Sequence, residues 1–279
     1  MNWILHNHSN FYHGGMPAIE KYSNALENRR RQHPCSTMLE GEHVQQIKEN
    51  GFTVIPNAFG ESTITKLKQE FDEAVEKNHC KKDEHYTVIT DPLLSCPAIV
   101  DVATHDTIFT TVSEFFGCVP SIGTLNFRQS HVNKSEPVTT QLFHCDQNSL
   151  SFIKCFIYLN NVVDAEDGPL TIVPESLRKK PTNWSSKYRW AEEEMTAIYG
   201  SDCLSYLTAS AGDLIIARAT TAFHRGTPPT RQDRTMLTLN YVVHPEDWKP
   251  VNFKMKMDDL ERLEDRKKPL TDFLIKVRK

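Results

Sequence analysis

No two of the seven cysteines stand in a Cys-x-x-Cys pair. An odd count without that spacing argues against both a disulfide framework and a four-cysteine zinc site, so a reducing, cytoplasmic setting is expected. No run approaches the roughly 20 apolar residues that a membrane helix needs. The opening residues, Met-Asn-Trp-Ile-Leu-His-Asn-His, lack a basic region followed by an apolar stretch, so no secretory signal is expected. Charge of one sign is not in excess. The formal net charge is -4 and the sequence pI is about 6.3, which leaves no basic footprint for nucleic acid or an anionic membrane. Internal repeats and low-complexity segments are absent too. What remains is a 279-residue chain, 39% hydrophobic, with the composition of one ordinary globular domain.

Residues 1–40 read as an irregular surface arm, with Gly14-Gly15, Pro17, Pro34 and a solvated basic triplet at Arg29, Arg30 and Arg31. Residues 49–56 read as a short strand ended by Pro56. Ile64, Leu67, Phe71, Ala74 and Val75 recur at helical spacing behind Ser62, a candidate N-cap. Ile108, Phe109, Val112, Phe115 and Phe116 do the same, with Gly117 as the stop. From residue 121 the texture turns to strands. Alternation in 124–128 puts Asn126 and Arg128 on one face. The apolar run 152–159 suits a strand buried on both sides. Leu170 to Val173, Asp213 to Ala217 and Arg234 to Val243 are further strands, and 175–203 is long enough to carry a short helix. The tail, with Leu260, Leu263, Leu270 and Phe273, reads as a helix broken near Pro269. Helices first and strands after predict a mainly β, jelly-roll core with flanking N-terminal helices.

His144-Cys145-Asp146 carries the first hint of chemistry. Residues i and i+2 of a strand share a face, so this imidazole and carboxylate project together while Cys145 points away. A His-x-Asp arises by chance about 0.7 times in a chain of this composition, and alone it is more often a hydrogen-bonded couple than a metal site. His224 supplies a third ligand, 78 residues after Asp146 and one strand beyond the turn Ala211-Gly212-Asp213. Two imidazoles and one carboxylate form the facial set of non-haem iron(II) oxygenases, although zinc hydrolases use similar ligands. Arg234 separates the two readings. Alternation aligns it with Met236, Thr238 and Asn240 on one half-polar face, opposite Leu237, Leu239 and Tyr241. An Arg at the head of such a face suits a cavity that holds a dicarboxylate, because a guanidinium fork matches a carboxylate and stays charged when desolvated.

Taken in order, the segments Gly51 to Pro56, His144 to Asp146, Asp167-Gly168-Pro169-Leu170 running into Val173-Pro174, Ala211 to Leu214, His224 and Arg234 resemble the phytanoyl-CoA dioxygenase family, over residues 50 to 245. The resemblance implies a double-stranded β-helix, a distorted cupin-like jelly roll. It implies an N-terminal arm over 1–48, a catalytic core over 49–245 and a C-terminal extension over 246–279. It implies iron(II) on His144, Asp146 and His224, with 2-oxoglutarate as cosubstrate and O2 as oxidant, and hydroxylation, desaturation or cyclisation at an unactivated C–H bond of a small molecule. Two departures stand out. Members carry Gly-Ser-His where this chain has Glu175-Ser176-Leu177. Members also place a Ser two residues after the distal His, where this chain has Gly226, so Thr227 becomes the nearest hydroxyl for the cosubstrate. The carboxylate of His-x-Asp is present, unlike in the halogenase variants.

Substrate contacts are expected from Asn126 and Arg128, from the aromatic-rich 184–206 segment, and from Trp3, Phe11 and Tyr12. Arg178, Lys179, Lys180 and Lys187 read as a solvated charge run. His6, His8 and His13 read as part of a flexible arm. His244-Pro245-Glu246 lacks a following His. Three rival functions use similar residues. One is a cupin-like isomerase or hydrolase on another metal, which would not need Arg234. The second is a non-catalytic binding barrel. The third is a nucleic-acid demethylase, disfavoured by the acidic pI and by the lack of a second Arg on the distal strand.

Overall fold

The computed structural model describes residues 16–35, 41–132, 135–146, 149–182, 184, 187–244 and 251–278. Trp3, His6, His8, Phe11, Tyr12, His13, Pro245 and Glu246 lie outside the described residues.

A helix, α1 (Met16–Gln32), stands where an irregular arm was expected. Nor is Arg29 solvated. Its guanidinium is buried and donates to the carbonyls of Val119 (2.7 Å), Pro120 (3.1 Å) and Pro269 (2.7 Å), and to the Asp272 carboxylate at 2.8 Å. A desolvated guanidinium must find acceptors for its donors, and here they come from segments distant in sequence. Helix α2 (Glu42–Asn50) ends at Gly51, so strand β1 (Phe52–Ile55) begins later than the sequence pattern suggests. Helix α3 (Glu61–Glu76) buries Ile64, Leu67, Phe71 and Ala74 as their spacing predicts, but Gly60 holds the N-cap and Ser62 lies inside the first turn. Strands β2 (Cys80–Lys82) and β3 (Tyr86–Ile89) form a hairpin. Helices α4 (Pro92–Ser95) and α5 (Ala98–Ala103) lead into α6 (Asp106–Phe116), which stops at Gly117 with φ 68, the left-handed turn that glycine adopts without a Cβ penalty.

The strands that follow are β4 (Ser121–Ser130), β5 (Phe152–Tyr158), β6 (Leu170–Val173), β7 (Ser205–Leu207), β8 (Leu214–Ala217), β9 (Phe223–Gly226) and β10 (Arg234–Val242). The 175–203 segment carries α7 (Glu192–Tyr199), as its length suggested. Among the described residues the largest sheet has seven antiparallel strands in the order β1-β8-β5-β10-β4-β3-β2, and a smaller sheet has the order β7-β6-β9. Alternation along β10 divides two cores. Leu237, Leu239 and Tyr241 join Leu67, Phe71, Ile99 and Ile108 under the helices. Met236, on the other face, joins Phe156, Tyr158, Leu170 and Ile172 between the two sheets. The tail differs from the helix expected there. It forms β11 (Lys254–Lys256), α8 (Met257–Glu261), a 3-10 turn over Asp265–Thr271 and β12 (Ile275–Val277), with β11 and β12 paired in parallel. Pro269 sits inside the 3-10 turn.

One buried carboxylate fixes the loops that lead into β6 and β10. Asp167 accepts from Arg231 Nε (2.9 Å) and Nη2 (2.6 Å), from Gln232 Nε2 (2.9 Å) and from the Val163 amide (2.9 Å). The Arg231 hydrogen bonds hold its pKa down to about 2. Arg231 itself is 43% exposed, so its charge is largely screened. The Asp167→Asn variant is expected to lose about 2 kcal/mol of stability, the cost of unmade bonds to a buried acceptor, in urea melts at neutral pH. Because the folded pKa lies below the unfolded value of about 3.9, the contribution is complete above that value and fades as pH falls through about 2. An unchanged melt at neutral pH would contradict this role.

Candidate metal centre

Three elements bring the predicted donors together. His224 lies on β9, opposite Ile172 of β6, and forms a reciprocal backbone bridge with His144 (3.0 and 2.9 Å). The bridge sets the two imidazoles side by side, with ring centroids 4.4 Å apart. The 142–146 segment is extended but held by isolated bridges rather than a continuous strand, and the Asp146 amide donates to the Ala219 carbonyl at 2.8 Å. Alternation still operates. Phe143 and Cys145 turn into a separate apolar cluster with Trp190, Met195 and Phe223, while His144 and Asp146 face the other way. Ser176 anchors the start of β9 by accepting from the Phe223 amide (2.8 Å) and donating to the Val173 carbonyl (2.6 Å). The departure at Glu175-Ser176-Leu177 is thus a 3-10 turn, Pro174–Leu177, tied to the strand that carries His224.

Hydrogen bonding decides what these donors offer. His144 Nδ1 lies 2.8 Å from the Leu142 carbonyl and His224 Nδ1 lies 3.1 Å from the Ala222 carbonyl. A carbonyl only accepts, so each Nδ1 carries the proton and each Nε2 of a neutral ring presents a lone pair. Both lone pairs aim at Asp146: Nε2 of His144 is 3.2 Å from Oδ1, and Nε2 of His224 is 3.6 Å from Oδ2. His144 Nε2 is buried and lacks a hydrogen-bond partner. Burial, and His224 beside it, lower the His144 pKa to about 4, so the ring is neutral at physiological pH. Burial would raise the Asp146 carboxyl, but the Lys154 ammonium at 2.8 Å holds it well below the usual carboxylate range. Lone pairs from three groups, all within 4.8 Å of one another, repel unless a cation sits among them. The set therefore fits a divalent metal ion, with each Nδ1 held by a backbone carbonyl as metal-binding imidazoles usually are.

The donors open into a cavity of about 340 Å³ between the two sheets. Arg234, Met236, Thr238 and Asn240 all line it, as the alternation along β10 predicts, and so do Asn126 and Arg128 on β4. Arg234 is 2% exposed. It donates to Ser130 Oγ (3.0 Å) and to the Thr227 carbonyl (3.4 Å), and burial lowers its pKa to about 10, which leaves it charged. Thr227, the expected second contact, does not line the cavity. Its hydroxyl is engaged with Thr171 Oγ1 at 2.7 Å, and it offers Arg234 its carbonyl instead.

The basic run is corrected at Lys180, which is not solvated but donates to the Ser176 and Thr221 carbonyls under the Phe223 ring. Arg178 donates to the Glu49 carbonyl and Lys187 pairs with Glu194. Neither these residues nor Trp184, Tyr188 and Trp190 line the cavity. Sequence reasoning missed Lys154, which lines the cavity and binds Asp146. It is the lone charge in the otherwise apolar run 152–159, a signal that could have been read, since a charge in a buried strand needs a partner.

No family model matches the chain, and no curated protein matches it. Solved structures do. The chain is similar to EctD from S. alaskensis with bound Fe, with TM-score 0.60 and 13% identity over 88% of this chain and 91% of that one. It is similar to the epimerase SnoN in complex with Fe3+, alpha ketoglutarate and nogalamycin RO, with TM-score 0.58 and 17% identity over 79% of this chain and 84% of that one. It is also similar to HygX from Streptomyces hygroscopicus with nickel, 2-oxoglutarate and hygromycin B bound, with TM-score 0.52 and 16% identity over 79% of this chain and 92% of that one. The mainly β chain, with its large antiparallel sheet and its His144, Asp146 and His224 cluster, has the fold of these metal-binding proteins.

Proposed function

We propose that this chain is an iron(II)- and 2-oxoglutarate-dependent oxygenase of the phytanoyl-CoA dioxygenase type, hydroxylating an unactivated C–H bond of a small molecule. One observation carries the reading: a single cavity holds two imidazoles and a carboxylate at one place, and at another a buried guanidinium that, among the described residues, pairs with no carboxylate. A keto acid with a second carboxylate has the complementary ends. The opposed sheets are read as a double-stranded β-helix, with residues 49–245 as its catalytic core, 1–48 as the N-terminal arm and 246–279 as the C-terminal extension. The likeness to SnoN and HygX, whose structures hold alpha ketoglutarate or 2-oxoglutarate beside a metal, supports this reading.

His144, Asp146 and His224 would hold the iron. Iron with 2-oxoglutarate and O2 supplies the oxidising power for C–H hydroxylation, releasing succinate and carbon dioxide. The protein's own part is binding, orientation and exclusion of water. Arg234 anchors the far carboxylate of the cosubstrate. Phe156, Leu170 and Met236 give its methylene chain an apolar wall. Lys154 occupies Asp146 Oδ2 and so leaves Oδ1 as the freer oxygen. Asn126, whose buried Oδ1 lacks a partner, and the nearby Thr124 and Asn240 offer hydrogen bonds to a polar substrate.

Anaerobic addition of iron(II) and then 2-oxoglutarate is expected to give a weak visible charge-transfer band. Aerobic screening against a compound library is expected to find substrate-stimulated succinate release. A cupin-like isomerase or hydrolase using the same ligands would give neither signal, and that result would overturn the proposal.

A further inference from the structure

The Arg234 end of the cavity holds more positive charge than one anchoring arginine supplies. On β4, Arg128 lies opposite Met236, and Ser130, next along the same face, lies opposite Arg234. Arg128 packs its guanidinium over the Tyr86 ring, 4.8 Å from the centroid. Its hydrogen-bonding is poor: Nη1 reaches Thr140 Oγ1 at 3.5 Å, and Nε is sealed from solvent without a partner. Arg234 Nε is in the same state. Among the described residues no carboxylate forms an ion pair with either guanidinium.

The two groups converge on one stretch of bare backbone. A Cβ built on Gly226 would lie 3.3 Å from Arg234 Nη2 and 3.7 Å from Arg128 Nη2. Any side chain there would crowd the space between the two forks, so glycine at 226 keeps that space open. Two poorly satisfied cations close to the same glycine are costly in a low-dielectric cavity. A carboxylate has two oxygens and about four lone-pair sites, enough to accept from both forks.

We propose that Arg128 is a second arginine for the far carboxylate of the cosubstrate, which is thus held between Arg128 and Arg234. The inference rests on the oxygenase reading and moves Arg128 from the substrate's side of the cavity to the cosubstrate's.

The test needs no knowledge of the substrate. Nickel(II)-loaded protein, without oxygen or substrate, is titrated calorimetrically with 2-oxoglutarate and with 2-oxopentanoate, the same chain ending in a methyl group. Wild-type protein binds the dicarboxylate more tightly. In Arg128→Met the Kd for 2-oxoglutarate rises at least about tenfold, as expected for losing a charge-assisted hydrogen bond, while that for 2-oxopentanoate stays unchanged and reports an intact site. Arg128→Lys recovers part of the loss. Unchanged 2-oxoglutarate binding in Arg128→Met would overturn the assignment and return Arg128 to the substrate. An equal loss for both ligands would overturn it in favour of a purely structural role. A wild type that does not prefer the dicarboxylate would overturn the oxygenase reading before any variant is made.

Discussion

Asp146→Ala is expected to reduce metal affinity about a thousandfold or more, because it takes the one carboxylate from a buried site whose other ligands are neutral and leaves the Lys154 ammonium beside the ion. Isothermal titration with nickel(II) or iron(II) should give one ion per wild-type chain and no resolvable heat for the variant. Substrate-stimulated succinate release should vanish with it. Lys154 complicates the site in a useful way. Its ammonium stands 2.8 Å from Asp146 Oδ2, so in the variant it adds charge repulsion to the missing ligand, and the loss should exceed that of an isolated ligand. Undiminished metal binding in Asp146→Ala would mean that the three groups form only a hydrogen-bonded couple with a neighbour, as in a non-catalytic barrel.

The second large effect is on the cosubstrate. Arg234→Met replaces the most deeply buried cation of the cavity with an apolar chain of similar reach. Loss of a desolvated guanidinium–carboxylate pair typically costs 2–5 kcal/mol, so the KM for 2-oxoglutarate should rise by about a hundredfold or more. The far carboxylate takes no part in bond breaking, so kcat should fall much less. Binding lost equally from ground and transition states has that signature. Steady-state kinetics with varied 2-oxoglutarate would decide it, and a collapse of kcat at unchanged KM would place Arg234 elsewhere in the chemistry.

Much of the site could be read from the sequence because it obeys a short-range rule. His144 and Asp146 are two residues apart, and the face made by Arg234, Met236, Thr238 and Asn240 follows from strand alternation alone. The helices over 61–76 and 106–116 announced themselves by apolar spacing, and Gly117 marked a true end. What stayed hidden depends on contacts across the chain. Arg29 looked solvated because its partner Asp272 lies 243 residues away. Thr227 looked available because nothing local shows its hydroxyl bonded to Thr171. The tail reads locally as a helix broken near Pro269 because nothing local shows that its two ends pair as strands. Gly226 reads only as a missing hydroxyl, whereas in the fold a Cβ there would lie 3.3 Å from Arg234 Nη2 and 3.7 Å from Arg128 Nη2.

Everything turns on one ion touching three side chains. The most direct measurement is an iron anomalous-difference map from crystals grown anaerobically with iron(II). The account predicts a single strong peak within about 2.0–2.3 Å of His144 Nε2, His224 Nε2 and an Asp146 oxygen, the bond lengths of first-row metals to such ligands. A peak bonded elsewhere, or none near these three atoms, would contradict it.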